Sequence, residues 1–124
     1  MLGSNSSERR RYKRRNLVYY IPVIASDTHR PIGMMADISE KGFKLDSETE
    51  IPLGKDFDLG LNITPDVADI AFISFVARSK WCEADKIEPC QYYAGFDIVD
   101  IEPHASKIVQ SIVDKYGAGE TIIQ

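Results

Sequence analysis

Apolar and polar residues alternate along most of this chain with the period of a strand that buries one face, and a helical period takes over only near the end. The first such run, Leu17 to Ala25, is aromatic and β-branched. Pro22 within it marks an edge position or a bulge, because proline cannot donate to a ladder. Asp27-Thr28-His29-Arg30-Pro31 reads as a turn into a second strand, Ile32 to Ile38, and Ser39-Glu40-Lys41-Gly42 turns the chain again into Phe43-Lys44-Leu45. Beyond a loop carrying Pro52 and Gly54, Phe57, Leu59, Leu61 and Ile63 share one face of a fourth strand. Ile70 to Trp81 and Tyr92 to Val99 complete the set, with Gly95 a candidate for a bulge or a close backbone approach. Then the period lengthens. Pro103 suits a first helical position, Ala105, Ile108, Val109, Ile112, Val113 and Tyr116 form one stripe, and Gly117 is placed to end the helix. Six strands with no helix between them predict a mainly β fold, an antiparallel barrel or a sandwich, on which a C-terminal α-helix packs its stripe.

With 124 residues the chain suffices for one domain, expected over residues 9–116, preceded by a Ser-rich disordered segment 1–8 and followed by a short tail 117–124. An apolar fraction of 44% and a charged fraction of 27% are those of a soluble globular protein, and no stretch approaches the eighteen apolar residues of a membrane span. The start lacks the apolar core of an export signal, so a cytoplasmic setting is expected. Cys82 and Cys90, with His29 and His104 far away in sequence, do not make a four-ligand zinc set; no metal is expected, and the thiols are read as unpaired.

Charge changes the picture more. The net charge of −4 conceals a strong asymmetry: Arg9-Arg10-Arg11-Tyr12-Lys13-Arg14-Arg15 holds six positive charges in seven residues, so residues 1–15 carry +5 and the remainder −9. An acidic body argues against a nucleic-acid coat, since duplex binding spreads cations over a face. The cationic run is local and calls for a local polyanion. Residues 8–15 have almost nothing apolar to bury, so they are expected to be mobile until an anion neutralises them.

Arginine suits phosphate and guanine alike: its planar fork of donors fits phosphate oxygens, pairs with guanine O6 and N7, and stacks on base faces. On guanine's other edge, the acceptor-only carboxylate of Asp37 can take the N1–H and the exocyclic amine. Ser39 can add a hydroxyl, and Gly42 lets a ligand or the crossing arm approach the backbone. Together these groups ask for a guanine nucleotide with phosphates. Taken singly, each has a plainer reading: a basic run is often a solvated tail, and an Asp-x-Ser-x-x-Gly group is what a turn uses anyway. Trp81 and the pairs Tyr19–Tyr20 and Tyr92–Tyr93 are read as core and sheet-surface aromatics.

Arg10-Arg11-Tyr12-Lys13-Arg14 fits an RRxxR motif, Asp37 to Gly42 fits (D/N)xSxxG, and Tyr93-Ala94-Gly95-Phe96-Asp97-Ile98-Val99 looks like a later Gly-hydrophobic strand; in these features the chain resembles the PilZ domain over residues 8–116. The resemblance implies a six-stranded antiparallel β-barrel with a helix at one end, acting as a bacterial receptor for cyclic di-GMP. Arg10, Arg11 and Arg14 match the first motif and Asp37, Ser39 and Gly42 the second, while Arg11 and Arg15 also satisfy a looser RxxxR spacing. No catalytic triad, phosphate loop or paired carboxylate is recognisable, so a non-enzymatic effector is expected. Its ligand would be cyclic di-GMP, with no cofactor, a downstream protein partner and no role for nucleic acid. The rival reading is an interaction adaptor whose basic arm binds polyanions without selectivity.

Overall fold

A computed structural model describes the backbone of residues 14–39 and 41–121 and the side chains of residues 21–39 and 41–116. In chain order the elements are β1 (Arg14–Ala25), β2 (Pro31–Ser39), β3 (Gly42–Ser47), β4 (Asp56–Asn62), β5 (Phe72–Ala84), β6 (Tyr92–Asp100), α1 (Pro103–Tyr116) and β7 (Gly117–Thr121). Strands pair in the order β2-β3-β6-β5-β4-β1, and β1 pairs back onto β2, so a six-stranded antiparallel sheet closes into a barrel and leaves no open edge in that cycle. Of the barrel and the sandwich that alternation alone allows, the fold is the barrel.

Alternating inward residues fill it. Val23, Met35, Ile38, Phe43, Leu45, Leu59, Leu61, Ile73, Phe75, Ala77, Ala94 and Phe96 are buried in one cluster with Ala105, Ile108, Val109, Ile112 and Val113 of α1. The helix therefore plugs the barrel with the stripe read from the sequence. Pro103 opens it without wasting a donor, and the first-turn bond runs from the Ser106 amide to the Glu102 carbonyl at 2.9 Å. Its far end is tied to the 64–68 turn, where the Tyr116 hydroxyl donates to Asp66 and the Lys115 ammonium to the Asp66 carbonyl at 3.2 Å.

Pro22 pairs with Met34 of β2 and lies between two breaks in register, at Asn16–Ile21 and at Val23–Ile24, as its missing donor anticipates. Two features depart from the periodic reading. Arg14 and Arg15, assigned to a mobile arm, are the first residues of β1. Arg15 and Asn16 pair with β2 on one side and β7 on the other, so the ladder gives their backbone groups partners. Gly117 ends the helix as expected, but residues 117–121 continue as β7 against Arg14–Leu17. With glycine at positions 117 and 119, this strand offers no apolar alternation to detect. Arg10 and Arg11 lie outside the described residues.

Candidate functional site

Two bulges organise the outer face of the barrel. On β2, Met35 pairs with Leu45 and Asp37 with Lys44, leaving Ala36 as the extra residue; on β5, Ser79 pairs with Phe96 and Trp81 with Gly95, leaving Lys80 extra. The second bulge resets the alternation. Ile73, Phe75, Ala77 and Ser79 are buried, and unbroken alternation would send Trp81 in after them; the extra residue turns Trp81 outward and Cys82 toward the core instead. The ladders then set Asp37, Lys44, Gly95 and Trp81 in one row across β2, β3, β6 and β5.

Gly95 is required by this row. A Cβ there would come within 2.1 Å of the indole Nε1 of Trp81, so the pyrrole side of the indole lies directly on the backbone of Gly95, and the side chain is half-buried. This is the close approach anticipated at Gly95, with an aromatic side chain as the neighbour. The sequence reading took Trp81 for a core or sheet-surface aromatic and did not set it in a row with Asp37. The signal that could have found it is Gly95 itself, a glycine within a strand that needs a large neighbour to explain it.

The second motif lies on the β2–β3 turn. The Ser39 hydroxyl, 4% exposed, donates to the Gly42 carbonyl at 3.4 Å and accepts from the Lys41 amide at 3.3 Å, bracing the turn. A Cβ on Gly42 would stand 2.1 Å from the Phe96 carbonyl, so glycine is needed for β6 to pair closely with β3. Asp37 is 8% exposed. Of the first motif, the backbone of Arg14 and Arg15 is placed: Arg15 pairs with Ile38, and Asn16 with Asp37. The arginine strand and the Asp-Ser-Gly strand are thus adjacent.

Electrostatics around the row come from three carboxyls. Burial pushes Asp46, on β3, above its ordinary value; the Lys44 ammonium works against this and the Asp37 carboxylate adds to it. On the other flank the Lys44 ammonium lies 5.1 Å from the centre of the Tyr93 ring, whose hydroxyl donates to Asp85 at 2.5 Å. The amides of Ile87 and Glu88 donate to the other oxygen of Asp85, both at 2.8 Å. The Tyr93 hydroxyl, followed by these amides, lowers the Asp85 carboxyl to about 2. A depressed carboxyl stabilises the fold above its unfolded value near ~4, and that contribution is lost as pH falls through about 2. In a carboxyl NMR titration Asp85 should show a midpoint near 2, and Tyr93→Phe should move it up toward the ordinary range.

Two concave grooves lie elsewhere. One of about 420 Å³ is lined by Asp58, Asp100, Glu102 and His104, the other, of about 430 Å³, by Ile21, Pro22, Ile63 and Ile112. Neither includes a motif residue. Asp37, Lys44, Gly95 and Trp81 stand instead along one row of paired strands. Among the described residues no group of three or more metal-binding side chains exists, and no helix is long and apolar enough to cross a membrane. Cys82 and Cys90 are free thiols, the first accepting the Ile51 amide at 3.4 Å.

A family model described as the PilZ domain matches residues 8–115. Among solved structures, the chain is similar to the PilZ domain of YcgR from Escherichia coli with c-di-GMP, at 18% identity and a TM-score of 0.65, covering 87% of this chain and 91% of that one. It is also similar to the Bacillus subtilis inhibitor of motility MotI/DgrA, at 14% identity and a TM-score of 0.66, over 86% of this chain and 50% of that one. A further structure of YcgR in complex with c-di-GMP, also from Escherichia coli, matches at 17% identity and a TM-score of 0.61, over 86% and 45%. At these identities the likeness is one of fold, and the chain spans about half the length of the last two. No curated protein sequence matches.

Proposed function

Since the chain belongs to the PilZ domain family, we propose that it is a cyclic di-GMP receptor: a cytoplasmic, non-enzymatic effector that binds the dinucleotide between its arginine run and its β2–β3 face and passes the signal to a protein partner. The observation that supports this most is the adjacency of the two motifs. The ladder sets Asn16, two residues beyond Arg14, against Asp37, so the strand that begins with Arg14 and Arg15 runs beside the strand that carries the proposed guanine-edge acceptor. Arg10, Arg11, Arg14 and Arg15 would clamp phosphates and one face of a guanine, and Asp37 would take the guanine N1–H and amine. Ser39 and Gly42 would hold the turn in shape, and Trp81 would offer its indole to a base. Stacking of a base on an aromatic side chain contributes about 1–3 kcal/mol.

Charge-assisted hydrogen bonds contribute roughly 1.5–3 kcal/mol each, so Arg10→Ala, Arg14→Ala and Asp37→Ala should each weaken binding by about tenfold or more in calorimetry. Arg15→Ala should do less if Arg10, Arg11 and Arg14 are the clamp, and the reverse ranking would move the register by one. Asp37→Ala also separates the two functional readings. A receptor loses affinity, whereas a polyanion-binding adaptor is unaffected or improved when a carboxylate beside its basic arm is removed.

A further inference from the structure

We infer that Lys44, outside both motifs, is a further ligand contact: a phosphate-binding cation that rests on the ring of Tyr93. The inference rests on the receptor reading and adds a residue and a role to it. Lys44 stands one ladder step from Asp37 and, through Gly95, two steps from Trp81. At about 4.8 Å per step the row from Asp37 to Trp81 spans roughly 14 Å, so a ligand that offers a guanine edge to Asp37 and a base to Trp81 lies across Lys44. In a cyclic dinucleotide the two phosphates sit between the two bases, which puts phosphate oxygens over this side chain.

The side chain is half-buried, and its ammonium acts on the Asp46 carboxyl through space without forming an ion pair with it. Among the described residues Lys44 forms no ion pair, although Arg78 pairs with Asp56, Lys80 with Asp97 and Lys115 with Asp66 elsewhere on the surface. Its described contact is the Tyr93 face at 5.1 Å, and a cation–π contact at a part-exposed site is weak enough for a phosphate to displace. The Tyr93 ring is itself fixed through its hydroxyl on Asp85, so the resting position of the ammonium is defined. Lysine suits this place because it acts as a point charge on phosphate and needs no fork geometry.

Calorimetry with cyclic di-GMP on the wild type, Lys44→Met and Lys44→Arg tests the assignment. Lys44→Met should weaken binding by about tenfold and Lys44→Arg by no more than about threefold, with thermal midpoints unchanged. The preference for cyclic di-GMP over cyclic di-AMP should survive Lys44→Met, because both ligands carry the same phosphates. As a second measurement, the Lys44 ε-methylene, beside the ammonium over the Tyr93 ring and so expected upfield in the free protein, should move toward ordinary values on saturation. Wild type that binds, with Lys44→Met within twofold of it and the methylene signals unmoved, would overturn the role of Lys44 and leave the receptor reading standing. Wild type that fails to bind would overturn both.

Discussion

Cyclic di-AMP is expected to bind this barrel at least about a hundredfold more weakly than cyclic di-GMP. The two ligands share their phosphates, so the difference lies in the base edges. Arginine donors that meet guanine O6 would meet the adenine amine, donor against donor, and the Asp37 carboxylate would face adenine N1, an acceptor, where guanine offers N1–H. Each polar group left without a partner costs about 1–3 kcal/mol, and a carboxylate only 8% exposed is poorly placed to recover the loss from water. Parallel calorimetric titrations would measure the ratio. A value within threefold would remove guanine selectivity and favour the adaptor with an indiscriminate basic arm.

Phe43→Ala should destabilise the fold by about 3–5 kcal/mol, the largest stability effect expected of any single change considered. Phe43 is 1% exposed and stacks on Phe96 with centroids 5.1 Å apart at 8°, while Phe75 meets it edge-on at 5.9 Å. Truncation would open a cavity at the junction of β3, β5 and β6, where the barrel wall cannot collapse without breaking register. Phe43 also follows Gly42 directly, so the turn carrying the second motif is anchored in the core through its next residue. Urea unfolding of the variant would show the loss as a lowered midpoint at unchanged slope. A loss below about 1 kcal/mol would mean that the barrel does not rest on this aromatic stack.

The strand set and the helix were legible in the chain because each buries one face, and residues such as Leu59 and Leu61 or Ile108 and Ile112 carry the period of their element directly. The second motif was legible as a turn with an acceptor. What alternation could not supply was the effect of an inserted residue. Lys80 looks like any outward strand residue, yet as a bulge it sets the side on which Trp81 stands, and with it the far end of the site. Lys44 was visible only as the polar member of Phe43-Lys44-Leu45; its value comes from neighbours on β2 and β6 that lie far along the chain. The division of labour within the motif was also hidden. Ser39 and Gly42 read as ligand groups, and the structure adds a bond from Ser39 across the turn and a close approach of β6 to Gly42, because a hydroxyl or a missing Cβ does not announce which neighbours it answers.

The pairing of β7 with the start of β1 has a consequence for engineering. Thr121 stands opposite Arg14, so the two ends of the described backbone are about 5 Å apart. A domain with neighbouring termini can be spliced into a surface loop of a host protein without stretching that loop, and it can be circularly permuted with a short linker. Because the junction coincides with the arginine end of β1, a fluorescent host carrying this insert would have its splice point at the motif. A change in strand pairing there would reach the chromophore through two covalent connections at once.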